Sequence, residues 1–198
     1  MAKSRVIAPE EKKAAILQVA ARHFAKNGFD GANTAAIAKD ASVSVGTVFR
    51  IFPKKEDIAN EIFQRFCAAQ EKINILSGIL PPFTAGARES FDAIIKASII
   101  QIRNHPHEYI FFESSFGAHY LDQVSKHMGE RIRNEFTSWI SFQTQQGNLA
   151  PADVSVLFAL SIGGLSRLAR ESILRNVVIS DEIEQDFLKH CWQAIAKS

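Results

Sequence analysis

Residues 28–58 read GFDGANTAAIAKDASVSVGTVFRIFPKKEDI, and this stretch decides the fold. It contains two short segments of helical period, Thr34–Ala41 and Val45–Phe52, separated by Ala41-Ser42-Val43-Ser44 and closed by Pro53. Helices this short are marginal in isolation, so the two must pack on each other and on the longer helix that precedes them. Ile37, Ala38 and Ala41 give the first an inward face, and Val48 and Phe52 give one to the second. Val43 plugs the turn, while Ala35, Ala36 and Ala38 permit close approach. The pattern is that of a helix-turn-helix.

The outward surface of the second helix suits a duplex. Ser44 can cap it, and Val45 starts it. Gly46 removes a side chain where backbone must come close, and Thr47 offers a hydroxyl and a methyl to base edges. Arg50, Lys54 and Lys55 are placed for phosphates, as are Lys3 and Arg5 nearer the N-terminus. Asn33 and Thr34 head the first short helix, where Asn33 can cap and also donate to a phosphate near the helix's positive end.

Upstream, Pro9-Glu10-Glu11 opens a helix whose stripe is Ile16, Ala20 and Phe24, flanked by Leu17 and Ala21, and Asn27-Gly28 stops it. Downstream, a fourth helix over 54–76 carries Ile58, Ile62, Phe66, Ala69 and Ile73. Ser77-Gly78-Ile79-Leu80-Pro81-Pro82 punctuates the chain. Longer helices follow at about 84–104, 107–116, 119–146, 151–175 and 181–196. No stretch alternates as a strand. The expectation is an all-α protein of about nine helices. Residues 1–53 form a three-helix helix-turn-helix domain, 54–76 connect, and 77–198 form a helical bundle.

Charge supports the polarity of this layout. Residues 1–66 hold eleven Lys/Arg against seven Asp/Glu, and the rest hold twelve against fourteen, so the positive surplus lies at the N-terminal end. At 46% hydrophobic and 22% charged the composition is that of a globular protein. No apolar run approaches the ~18–20 residues of a membrane helix. The basic start leads into a charged helix, which points to the cytoplasm. Cys67 and Cys191 read as buried thiols, with neither metal nor disulfide spacing. His105-x-His107 with Glu113 lacks two ligands on one helical face, since Pro106 favours a helix start there. No metal or cofactor is expected. No nucleophile elbow, phosphate loop or paired carboxylates argue for an enzyme.

Residues 10–58 resemble the DNA-binding domain of the TetR family of bacterial repressors. The resemblance rests on Gly28-Phe29, Ile37-Ala38-Lys39, Ala41-Ser42-Val43-Ser44, Gly46-Thr47-Val48-Phe49-Arg50-Ile51-Phe52-Pro53 and Lys55-Glu56-Asp57-Ile58. It implies that Val45–Phe49 enters the major groove, with Asn33, Thr47, Phe49, Arg50 and Lys55 facing DNA. The chain departs from the family pattern where tyrosines usually replace Phe49 and Ile51, a lysine replaces Val45, a glycine replaces Ser42 and a threonine replaces Asn33.

The second half is rich in aromatic residues at helical spacing. The resemblance implies a ligand cavity among helices 84–104, 107–116, 119–146 and 151–175. Its expected wall is Phe91, Ile95, Phe112, Phe116, Trp139 and Phe158, with Ser98, Ser115, His119 and Gln143 as polar contacts. The last two helices read as a homodimer surface, built on Leu160, Gly163, Gly164, Phe187, Cys191 and Trp192. The function so implied is a dimeric repressor, released from a palindromic operator on double-stranded DNA by a small, largely apolar effector. A ligand-independent or protein-controlled regulator, whether activating or architectural, is the alternative, with an enzyme as a remote third.

Overall fold

The computed structural model describes residues 8–197. Lys3 and Arg5, expected to reach phosphates, lie outside the described residues. The elements are α1 (Pro9–Gly31), α2 (Thr34–Asp40), α3 (Val45–Ile51), α4 (Lys55–Leu76), α5 (Ala87–Asn104), α6 (Pro106–Ser115), α7 (Gln123–Gln145), α8 (Val154–Phe158), a π-helical turn over Ala159–Gly163, α9 (Gly164–Arg175) and α10 (Asp181–Ile195). Among the described residues, extended pairing is confined to an isolated bridge between Leu149 and Ala196. The protein is all-α, with an N-terminal helix-turn-helix and a C-terminal helical domain.

Capping chemistry sets several boundaries. Asn33 Oδ1 accepts from the N–H groups of Ala35 at 2.8 Å and Ala36 at 3.2 Å, which starts α2. Ser44 Oγ accepts from Thr47 N at 3.1 Å at the head of α3, and Ser180 Oγ from Ile183 N at 3.3 Å at the head of α10. Pro106 occupies the first turn of α6, where its missing N–H costs nothing.

Three expected helices differ from the observed ones. Gly28 does break α1, with φ at 71°, but a last turn continues to Gly31 because Phe29 is drawn back into the core. The helix expected from 119 begins at Gln123 instead. Gly117, at φ 74°, turns the chain, and Asp122 caps α7 by accepting from Ser125 N at 2.7 Å. Residues 116–122 are therefore a loop. The single helix expected over 151–175 starts at Val154 and carries a π-helical turn at Ala159–Gly163 that inserts extra backbone. Buried Ser161 sits in that turn, its Oγ donating to Leu157 O at 2.7 Å.

The helices share one apolar core, running from Ile16 in α1 to Ile195 in α10. α1 packs on α4 and α6, α4 on α6 and α7, α6 on α9, and α5 on α10. Phe24 of α1 meets Phe111 of α6 with ring centroids 5.1 Å apart, so the first helix is seated directly on the bundle. On its other side α1 holds α2, through His23 Nε2 and Asp40 Oδ2 at 2.9 Å.

Ser42 occupies the left-handed region, with φ at 56°, in the exposed turn between α2 and α3. That conformation costs an L-residue about 1–2 kcal/mol. Ser42→Gly is expected to stabilise the protein by about 1 kcal/mol, read as a raised denaturation midpoint at unchanged m-value; an unchanged or lower midpoint contradicts the strain.

Candidate nucleic-acid interface and ligand cavity

α3 buries Val48 completely and turns the rest of its surface outward. Val45 is 40% exposed and Phe49 48%, and Gly46 and Arg50 are exposed beside them. Thr47 is half-buried, its Oγ1 held 2.9 Å from Ser44 Oγ. That bond fixes its rotamer and leaves the methyl free. Gly46 has two readings, a packing glycine or a surface one, and the geometry separates them. A Cβ there would meet nothing closer than Ser44 Oγ at 3.9 Å, and Gly46 does not have positive φ. The protein's own packing does not require glycine at this position. The missing side chain leaves the backbone of α3 exposed at this point.

Lys54 and Lys55 separate in role. Lys54 is exposed at the head of α4, its N–H donating to Asp57 Oδ2 at 2.8 Å. Lys55, expected to face DNA, turns inward instead. Its Nζ donates to Phe29 O at 2.8 Å and Ala32 O at 3.2 Å, with Asp30 O at 3.5 Å, and lies 4.3 Å from the Phe29 ring centroid. The bare carbonyls at the C-terminal end of α1 attract the nearest cation more strongly than water does. Phe29 stacks on Tyr120 of the 116–122 loop at 4.1 Å. Buried Asn60 ties α4 to the same loop: its Nδ2 donates to Tyr120 O at 3.0 Å, and its Oδ1 accepts from Asp122 N at 2.9 Å and Ser125 Oγ at 2.6 Å.

Within the bundle, a cavity of about 150 Å³ lies among α4, α5, α6, α7 and the π turn. Ser98, Phe112, Phe116 and Phe158 line it as expected, together with Gln70, Asn74, Ile94, Tyr109, Glu113, Ile132, Arg133, Phe136 and Ile162. Phe91, Ile95, Ser115, His119, Trp139 and Gln143 do not line it. Phe91 packs on Trp192 at 5.4 Å, and Ile95 and Trp139 are core. Ser115 Oγ is bound to Phe111 O at 2.6 Å and Tyr120 Oη at 2.8 Å, and Gln143 Oε1 accepts from Asn148 Nδ2 at 2.7 Å. His119 is exposed in the loop, 3.6 Å from Asp30, because α7 starts after it. Burial pushes the Glu113 carboxyl up, against the lowering influence of the Ser166 hydroxyl and of Arg133 and Arg170. An open groove of about 650 Å³ separates α1 and α4 from the α5–α6 corner, over Leu17, Ile62, Phe66 and Gln101. Among the described residues no three His, Cys, Asp or Glu side chains gather as a metal site. The Cys67 thiol is buried and pushed up to about 12.

Residues 16–62 match the family model described as bacterial regulatory proteins, tetR family, and residues 99–196 match a tetracyclin repressor-like C-terminal domain. The chain belongs to the TetR family. Its regions of similarity are those of transcription regulators and not of enzymes. It is 32% identical over 93 residues to the HTH-type transcriptional regulator LuxR of Vibrio harveyi, a match covering 47% of this chain and 44% of that relative. The matched stretch thus spans less than half the length of that protein. The fold is shared with the ketosteroid transcriptional regulator KstR2 of Mycobacterium tuberculosis, at TM-score 0.67, 18% identity and coverage of 100% and 98% of the two chains. It is shared also with AibR, solved in complex with isovaleryl coenzyme A and operator DNA, at TM-score 0.68, 15% identity and coverage of 93% and 98%.

In this TetR-family protein, the last helices hold two kinds of residue. Gly164 lies under Phe187, where a Cβ would come within 3.1 Å of the ring, and Trp192 packs on Phe91 and under Arg88, 5.3 Å from the guanidinium carbon. These three make contacts within the chain yet are only half-buried, so part of each stays on the surface where a second chain is expected. Leu160 is 44% exposed and Val156 50%, one turn apart, with Gly163 half-buried on the same side. Phe187 and Cys191 remain half-buried.

The two glycine readings give opposite results for Gly46→Ala. Alanine is the better helix former by about 0.5–1 kcal/mol. The variant is expected to unfold later than wild type while binding duplex DNA more weakly, measured by thermal melting and by fluorescence anisotropy. Loss of stability would mark a packing glycine instead. Lys55→Ala reverses the pattern: stability falls by about 1–3 kcal/mol as carbonyls lose their donor, whereas Arg50→Ala leaves stability intact and lowers the salt slope of DNA binding by about 1.

Proposed function

We propose that this protein is a homodimeric cytoplasmic repressor that reads a near-palindromic operator with α3 and releases it when a small, largely apolar ligand enters the bundle cavity. The observation that carries the reading is the outward face of α3. Val45, Gly46, Phe49 and Arg50 stand exposed there beside half-buried Thr47, and the glycine has no structural reason of its own. Asn33, Thr34 and Lys54 flank the face, while Ser44 holds Thr47. Major-groove entry by such a helix is the usual docking mode of a helix-turn-helix.

Dimerisation supports the same reading. Val156 and Leu160 form an exposed apolar stripe with Gly163, whose small side lets a second helix approach. A two-fold pairing there would set two recognition helices about one DNA turn (~34–36 Å) apart. Ligand response has a mechanical route. Phe112 and Phe116 wall the cavity at the end of α6, Ser115 between them holds Tyr120, and Tyr120 stacks on Phe29 at the foot of the helix-turn-helix. A ligand that displaces that end of α6 shifts the seam with α1 and α4, provided it binds the two states with different affinity. The fold neighbour AibR, solved with both a ligand and operator DNA, is consistent with this scheme.

A ligand-independent regulator draws on one observation, the small volume of the cavity. About 150 Å³ accepts a benzene-sized body, below the ~300–1,000 Å³ of drug-sized sites.

An operator selected from random duplexes is expected to be palindromic and to bind two chains. Leu160→Arg is expected to give a monomer by sedimentation with at least about tenfold weaker operator binding, as loss of the second half-site requires; a dimer with unchanged affinity refutes the interface. Ser98→Phe fills the cavity and is expected to keep operator binding while losing release by benzene-sized apolar compounds. Release that persists in this variant assigns the effect to another place, such as the α1–α4 groove.

A further inference from the structure

We infer that the cavity is built for a small organic amine in its ammonium form, a benzene-sized apolar body whose charged nitrogen is held by Glu113. This rests on the reading of the cavity as the effector site and names the chemistry it selects.

The polar groups of the lining are not equivalent. Gln70 Nε2 donates to Asn74 Oδ1 at 3.0 Å, and Asn74 Nδ2 donates to Glu135 Oε2 at 2.7 Å, so these two amides satisfy one another and a carboxylate behind them. Glu113 is different. Its Oε2 accepts from Ser166 Oγ at 2.8 Å, and among the described residues no other hydrogen bond or ion pair reaches the carboxyl. Arg133 shares the lining but is largely exposed and stands over the Phe158 ring, 5.4 Å from its centroid. A half-buried carboxylate with a single hydrogen-bond donor keeps acceptor capacity open toward the cavity, where a cation would complete it. Among the described residues no cation pairs with it directly: Arg133 and Arg170 act on Glu113 from beyond ion-pair distance, and burial outweighs them and pushes the carboxyl up.

The rest of the wall favours the same sign of charge. Tyr109, Phe112, Phe116, Phe136 and Phe158 surround the space. Ring faces attract cations and disfavour anions. An anionic ligand would meet Glu113 directly and gain only Arg133 at the rim. The volume of about 150 Å³ limits the apolar part to about one ring.

Calorimetry of the full chain with benzylamine, benzyl alcohol and benzoate separates the chemistry from the site. Wild type is expected to bind benzylamine about tenfold or more tightly than benzyl alcohol, the difference a charge-assisted hydrogen bond makes. Glu113→Gln is expected to abolish that preference while leaving benzyl alcohol unchanged, with folding checked by circular dichroism. Wild-type selectivity decides the matter even if the variant does not fold. Benzyl alcohol binding as tightly as benzylamine, or benzoate binding most tightly, overturns the amine assignment and leaves the cavity standing as an effector site. If none of the three binds, both the assignment and the effector site fall.

Discussion

Lys55 is the fastening on which the rest depends. Its ammonium closes the open carbonyls at the end of α1, covers the face of Phe29, and does so from the first turn of α4. One side chain thereby ties the helix that enters the helix-turn-helix to the helix that leaves it. A cation at a helix C-terminus with hydrogen bonds to carbonyls stabilises by about 1.5–3 kcal/mol, a large fraction of a marginal total. Two short helices cannot hold a fixed orientation alone, so α2 and α3 take theirs from this clasp and from α1. The stack of Phe29 on Tyr120 then extends the clasp into the bundle.

That arrangement puts the region joining the cavity to the helix-turn-helix under polar control. Asn60 is buried in α4 and bonds to the backbone of Tyr120 and Asp122 and to Ser125. A fully satisfied buried network of this kind resists gradual distortion, because every shift breaks several bonds at once. Such a seam favours discrete arrangements over a continuum. The cavity lies on the other side of the same loop, with Phe116 in its wall and Ser115, at the end of α6, bonded to Tyr120.

The π turn belongs to this picture as well. Phe158 and Ile162, just before and within Ala159–Gly163, both line the cavity. These two side chains face inward, while Val156 and Leu160 keep to the outside. The polar end of the cavity, Glu113 with Ser166, bridges α6 and α9 beyond the turn.

Local chemistry was legible in the amino-acid sequence wherever a residue acts on its own neighbourhood. Asn33 and Ser44 cap helices within three residues of themselves, Pro106 opens one, and the stripe Ile16, Ala20, Phe24 marks a buried face by its period alone. These rules are short-ranged, so fold class, the helix-turn-helix and the face of α3 followed from order and spacing. The tertiary structure decided what depends on partners distant in the chain. Lys55 and Lys54 are identical in type and adjacent, yet only one meets the carbonyls of residues 29–32. The aromatic residues of the second half share a helical period whether they face a cavity, as Phe112 and Phe158 do, or a neighbour, as Phe91 and Trp139 do. Gln70, Asn74 and Glu113 look like ordinary polar positions on amphipathic helices until packing surrounds them. Periodicity tells which way a side chain points, and only the packed chain tells what it points at.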